Sequence, residues 1–182
     1  MRTDSSIGAA PHDATFPLAG QRGLTLVELL VAIAVMTLLF GWAIPAFQAL
    51  SARQEVSAEV LRLKTALALA RSSAIARRAT VTVCPSHDQL SCHNDDWTAP
   101  LMIIHGRAEG GNIGSDEVLR ILDDSRVVSV SYRQDGRPVR YGPLGRPAGH
   151  NGTFTICGRH DAGATVVVSN FGRVRVEPEA TC

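Results

Sequence analysis

"GLTLVELLVAIAVMTLLFGWAIPAFQALSA", residues 23–52, decides the architecture of this chain. After Glu28 no charged residue occurs until Arg53, which leaves residues 29–52 uncharged and mostly apolar. A helix that crosses a bilayer needs roughly 20 apolar residues, and this run supplies them. A secretory signal fits poorly, because its apolar region is shorter and ends at a small-residue cleavage site. The stretch that follows, "RQEVSAEVLRLKTALALARSSAIARR" (53–78), keeps a helical period. Val56, Val60, Leu63, Leu67, Ala70 and Ala74 fall on one stripe at spacings of three and four. The two segments therefore read as one helix from Leu24 to Arg78, apolar at first and amphipathic afterwards.

Glu28 is the anomaly in that run. A carboxylate in a membrane helix costs about 2.5–3.5 kcal/mol on insertion scales, and it either snorkels to the interface or has a function. The surrounding residues, "QRGLTLVELL" (21–30), resemble the processing site of type IV pilins and of type II secretion pseudopilins. The resemblance implies cleavage by a prepilin peptidase after Gly23 and N-methylation of the new terminus, Leu24. It gives Glu28 an assembly role, pairing with the N-terminal amine of a neighbouring subunit, which neutralises an otherwise buried anion. Pro45 stands where the family tends to carry a helix proline. The family usually begins its mature chain with phenylalanine, and here the residue is leucine.

After the helix come short runs rich in Val, Ile and Thr at 80–84, 101–105, 117–122, 127–132, 153–157 and 164–169. Asp135-Gly136 is a hairpin signal, and the Gly/Pro-rich stretch 135–152 reads as an exposed loop or irregular hairpin. A helix followed by strands indicates an α+β fold, with an antiparallel sheet packed on the C-terminal half of the helix. The expected organisation is a leader at 1–23, a transmembrane half-helix at 24–52 and a globular head at 53–182.

The head is expected in the periplasm, on a single-pass anchor in a bacterial inner membrane. In that oxidising compartment four cysteines suggest two disulfides, Cys84 with Cys92 and Cys157 with Cys182. A metal site is the rival reading, because Cys84, His87, Cys92 and His93 lie within ten residues of one another. Within the pilin class the head resembles the FimT/GspH family of minor pilins and pseudopilins. The residues that carry this are "TVTVCPS" (80–86), Cys92, Trp97, "GTFTIC" (152–157) and "GRVRV" (172–176). The implied partners are prepilin peptidase and other pilins or pseudopilins, met through the N-terminal helix.

No catalytic set stands out: GxSxG, HExxH, P-loop and dinucleotide fingerprints are absent. The expectation is a protein that is not an enzyme and needs no cofactor or metal. The total of 18 basic and 17 acidic residues is uninformative, but their distribution is not. From Arg126 to Arg175 there are 8 basic and 2 acidic residues. In some FimT-like members a Gly-Arg-x-Arg stretch is linked to DNA binding, and Gly172, Arg173 and Arg175 match it. Strand periodicity puts Arg173 and Arg175 on one face, with Val174 and Val176 on the other. Arg137, Arg140, Arg146 and Arg159 could extend that surface if the fold brings them to it. Three roles stay open: a FimT-like minor pilin that binds double-stranded DNA for uptake, a GspH-type pseudopilin, and a structural subunit of a pilus-priming complex.

Overall fold

The computed structural model describes Gly23 and residues 25–114, 116–133, 135–177, 180 and 182. It divides into two compact units, Met1–Phe40 and Gly41–Cys182. One long helix, α1 (Leu26–Arg77), begins in the first and runs on into the second.

In the first unit Thr25 caps the helix. Its Oγ1 accepts the Glu28 N–H at 3.3 Å, and its carbonyl accepts the Leu29 N–H at 3.2 Å. Thr-x-x-Glu is the spacing of a capping box, and an acidic residue in the first turn suits the positive end of the helix dipole. The large apolar side chains from Leu26 to Phe40 are exposed. Near its N-terminus the helix has a window of mean hydropathy 2.3 with none of it buried, long and apolar enough to cross a membrane.

Among the described residues the second unit holds the rest of α1 and eight strands. Pro45 sits inside the helix, where its ring removes one backbone N–H from the ladder. Farther along, Ala52, Val56, Glu59, Leu63, Ala66, Leu67, Ala70 and Ala74 are buried, which is the expected stripe with Val60 at its half-buried edge. The strands are β1 (Val81–Pro85), β2 (Leu101–His105), β3 (Glu117–Leu122), β4 (Ser129–Tyr132), β5 (Val139–Tyr141), β6 (Gly152–Cys157), β7 (Gly163–Val168) and β8 (Val174–Glu177). They form two antiparallel sheets, ordered β3-β2-β1-β5 and β4-β6-β7-β8.

β1 and β2 are buried along almost their whole length, Thr82 included, because both faces of their sheet are covered. Val81, Val83, Leu101 and Ile103 join the main core with the helix stripe and the second sheet. Cys84, Met102 and Ile104 alternate onto the other face, under Ala108 and Ile113. Trp97 anchors the main core, edge-on to Tyr132 and Phe154 at centroid distances of 5.2 and 4.9 Å.

One polar group ties the helix to this core. Arg62 pairs with the buried Glu59 at 2.8 Å, one turn earlier. It also donates to the carbonyls of Asp123 at 2.7 Å, Trp97 at 3.3 Å and Ala99. A buried ion pair is tolerated when its remaining donors are satisfied in this way.

Two expectations from the sequence need correction. The Asp135-Gly136 turn is no hairpin, since it joins β4 to β5 and these belong to different sheets. The stretch 135–152 is not all loop either, because it contains β5, which pairs with β1. Three residues between Gly/Pro-rich flanks carry too little periodicity to announce a strand whose partner lies some sixty residues earlier.

Candidate nucleic-acid interface

The basic strand is set by a tight connection from β7. The Gly172 N–H donates to the Ser169 carbonyl at 2.8 Å, and the Ser169 N–H donates to the Arg173 carbonyl at 2.9 Å. Ser169 Oγ accepts the Arg173 N–H at 3.1 Å. Gly172 has φ +75°, and a Cβ there would stand 2.2 Å from the Gly145 carbonyl oxygen and 3.4 Å from Arg71 Nε. Positive φ and close backbone approach both call for glycine. Arg71, on the helix, donates to the Gly172 carbonyl at 2.8 Å and fixes the turn against α1.

β8 then pairs with β7, Val174 opposite Val168 and Arg175 opposite Val167. Val166 and Val168 are buried. Val174 and Val176 pair opposite them on the same face, Val174 half-buried and Val176 still 36% exposed, while Arg175 takes the other face, as the period of two requires. Arg175 is 73% exposed and pairs with Glu177 at 2.9 Å.

Arg173 and Arg175 line a surface groove together with Arg71, Arg146, Phe171 and Leu144. Among the described residues no acidic side chain lines it. Phe171 is 64% exposed, and the Arg146 guanidinium stands over its ring, 5.4 Å from the centroid, within cation–π range. Among the described residues neither Arg146 nor Arg173 has a carboxylate partner.

The remaining candidates lie elsewhere. Arg137 and Arg140 line a separate concavity with His150. Arg159 pairs with Glu55 of the helix at 2.6 Å. Gly23, Glu28 and Pro45 belong to the N-terminal part of the chain, and Leu24 lies outside the described residues. The cysteines pair as Cys84–Cys92 and Cys157–Cys182. Sulfurs bonded to each other cannot ligate a metal, so the alternative of a Cys84, His87, Cys92 and His93 metal site is removed. His87 lies instead 3.2 Å from Asp96. The Thr98 hydroxyl donates to Asp96, and this is the main reason its carboxyl stays below the usual range.

Sequence reasoning missed Arg71 and Phe171. Arg71 sits in the helix, a hundred residues from the motif it supports, and nothing local marks it. Phe171 directly precedes the Gly-Arg pair, and a large aromatic in a tight turn was a usable signal.

A family model describing type II transport protein GspH matches residues 59–172, and one for the prokaryotic N-terminal methylation motif matches residues 18–44. This chain belongs to the GspH family. The solved structure of the type IV minor pilin FimU of Pseudomonas aeruginosa is similar to this GspH-family chain at 26% identity. The match has a TM-score of 0.54 and covers 69% of this chain and 90% of that one. A second crystal form of FimU matches at the same identity with a TM-score of 0.48. Among curated proteins no sequence matches. The family assignment makes the chain a minor pilin or pseudopilin, a structural subunit of the type IV pilus and type II secretion class. Its methylation motif implies processing by prepilin peptidase and assembly with other pilins.

Proposed function

We propose that this chain is a FimT-like minor pilin whose head binds DNA through the groove of Arg146, Arg173 and Arg175. The observation that carries the proposal is the convergence of these arginines with Arg71 and an exposed Phe171 on one surface that, among the described residues, no carboxylate lines. Arginine contacts phosphate bidentately, and residues two apart on a strand are about 7 Å apart, near the spacing of phosphates along one strand. In this reading prepilin peptidase cleaves after Gly23, Leu24 is methylated, residues 24–52 anchor the subunit in the inner membrane, and residues 53–182 form a periplasmic head. Glu28 meets the terminal amine of a neighbour during assembly.

The test is fluorescence polarisation of the fragment 53–182 with duplex DNA across a salt series. Binding should be independent of sequence, with each phosphate contact adding about −0.9 to the log–log salt slope. Arg173→Gln with Arg175→Gln should abolish it. Absence of binding at low salt, or an unaffected double variant, refutes the proposal.

The match to the GspH model favours a second reading, in which the chain is a secretion pseudopilin and the same arginines meet a neighbouring subunit. A photo-crosslinker at Arg175 in cells separates the two. Capture of DNA supports the first reading and capture of another pilin supports the second.

A further inference from the structure

The concavity that holds Arg137 and Arg140 has a chemistry of its own. It has a volume of about 320 Å³ and is lined by Asn94, Arg137, Arg140 and His150 with Gly110 and Gly136 among the backbone walls. Arg140 comes from β5, opposite Thr82 of β1. Its Nη2 donates to the Ala108 carbonyl at 3.3 Å, while its Nε is buried and has no partner among the described residues. A buried donor left without an acceptor costs about 1–3 kcal/mol. Asn94 also lines the concavity, and its Oδ1 is buried without a partner among the described residues. Turned about its last torsion, that carboxamide offers an N–H₂ to the same space. His150 is fixed by a 2.8 Å hydrogen bond between Nδ1 and the Pro138 carbonyl.

Charge around the concavity is unbalanced. The lining holds two guanidiniums, Arg137 and Arg140, and no carboxylate among the described residues; Asp116 touches its wall by accepting the Ala108 N–H at 2.9 Å. Asp135 pairs with Arg133 and, at 3.6 Å, with the exposed Arg137, and Glu109 stands 3.5 Å from the exposed Arg107, so among the described residues no carboxylate forms a salt bridge with Arg140. An unpartnered Arg140 Nε and two guanidiniums in one concavity describe a receptor for a compact anion with several acceptor oxygens. A carboxylate or an internal phosphodiester carries only one charge.

We propose that this concavity binds a single dianionic phosphate group, inorganic phosphate or a terminal phosphate monoester, between Arg137 and Arg140. The site is separate from the DNA groove and does not rest on it.

The test is isothermal titration of the full chain in detergent with inorganic phosphate and, in parallel, with dimethyl phosphate. Inorganic phosphate should bind saturably with a Kd of about 1 mM or tighter, and dimethyl phosphate about tenfold more weakly. Arg140→Gln and, separately, the exposed Arg137→Gln should each weaken phosphate binding about tenfold or more. Arg173→Gln with Arg175→Gln should leave it unchanged. Arg137→Gln keeps the test decisive even if Arg140→Gln impairs folding. No saturation, equal binding of the diester, or loss only in the Arg173/Arg175 variant overturns the proposal. A 5′-phosphorylated and a 5′-hydroxyl oligonucleotide then identify the source. Preference for the phosphorylated end that depends on Arg137 assigns the group to nucleic-acid termini, and no preference assigns it to free phosphate.

Discussion

Replacing Gly172 with alanine separates two reasons for a glycine. Gly172 and Gly136 both have positive φ, +75° and +62°. Their surroundings differ: a Cβ at Gly136 meets nothing within 4 Å, whereas one at Gly172 lies 2.2 Å from the Gly145 oxygen and 3.2 Å from the Tyr141 ring. Both alanine variants pay the same left-handed backbone penalty, about 1–2 kcal/mol, and both lose the same unfolded-state freedom. Only Gly172→Ala must push its turn away from Gly145 by nearly an ångström. That movement strains the 2.8 Å bond from Arg71 and the 2.8 Å bond to Ser169. The charged bond contributes about 1.5–3 kcal/mol and the neutral one about 1, so Gly172→Ala should be about 2–4 kcal/mol less stable than Gly136→Ala. At about 3–5 °C per kcal/mol for a domain of this size, their melting temperatures should differ by about 10 °C. Thermal unfolding of the two heads, followed by circular dichroism, measures this directly. Equal melting temperatures would show that the approach of Gly145 is not what demands glycine at 172.

Three other perturbations give separate readouts. Arg62→Met strands the buried Glu59 carboxylate and should lower stability by about 3–5 kcal/mol in urea melts, while adding Glu59→Gln should recover part of the loss. Cys157→Ser removes a bridge that spans 25 residues and should lower stability by about 3 kcal/mol in urea melts, and reductant should cost the variant less than the parent, because only Cys84–Cys92 is left to reduce. The chain has two tyrosines, Tyr132 and Tyr141, and burial pushes Tyr141 up to about 12 and Tyr132 higher still. With folded values above the unfolded value near 10, their contribution is intact below pH ~10 and is lost as pH rises through the folded values. Tyrosinate absorbance at 295 nm should therefore stay silent at pH ~10 and appear together with unfolding. A simple titration centred there would refute their burial.

Much of the fold could be read from periodicity alone. The helix was expected at 24–78 and spans Leu26–Arg77, because a stripe at threes and fours has no competing interpretation over that length. Strands β2 and β3 fall where their Val and Ile runs lie. What stayed hidden was non-local. β5 exists because β1 offers it an edge, and Glu59 is buried because Arg62 reaches the carbonyls of Trp97 and Ala99, more than thirty residues away. On the sequence both charges look like an ordinary solvated helix face. The interface was half legible: alternation placed Arg175 correctly, but only folding revealed that Arg146 shares its groove and that Arg137 and Arg140 do not.

The two anchors of β8 have a mechanical consequence. Before the strand, Arg71 grips the Gly172 carbonyl, and beyond it Cys182 is bonded to Cys157 at the end of β6. A pull along β8 loads its hydrogen bonds to β7 in parallel, as shear, so that the ladder yields as a unit and not bond by bond. Tension in the tail passes covalently to β6, a strand inside the sheet, and bypasses the exposed edge. Whatever holds Arg173 and Arg175 is thus tethered to the helix and to the sheet interior, a construction suited to bearing load.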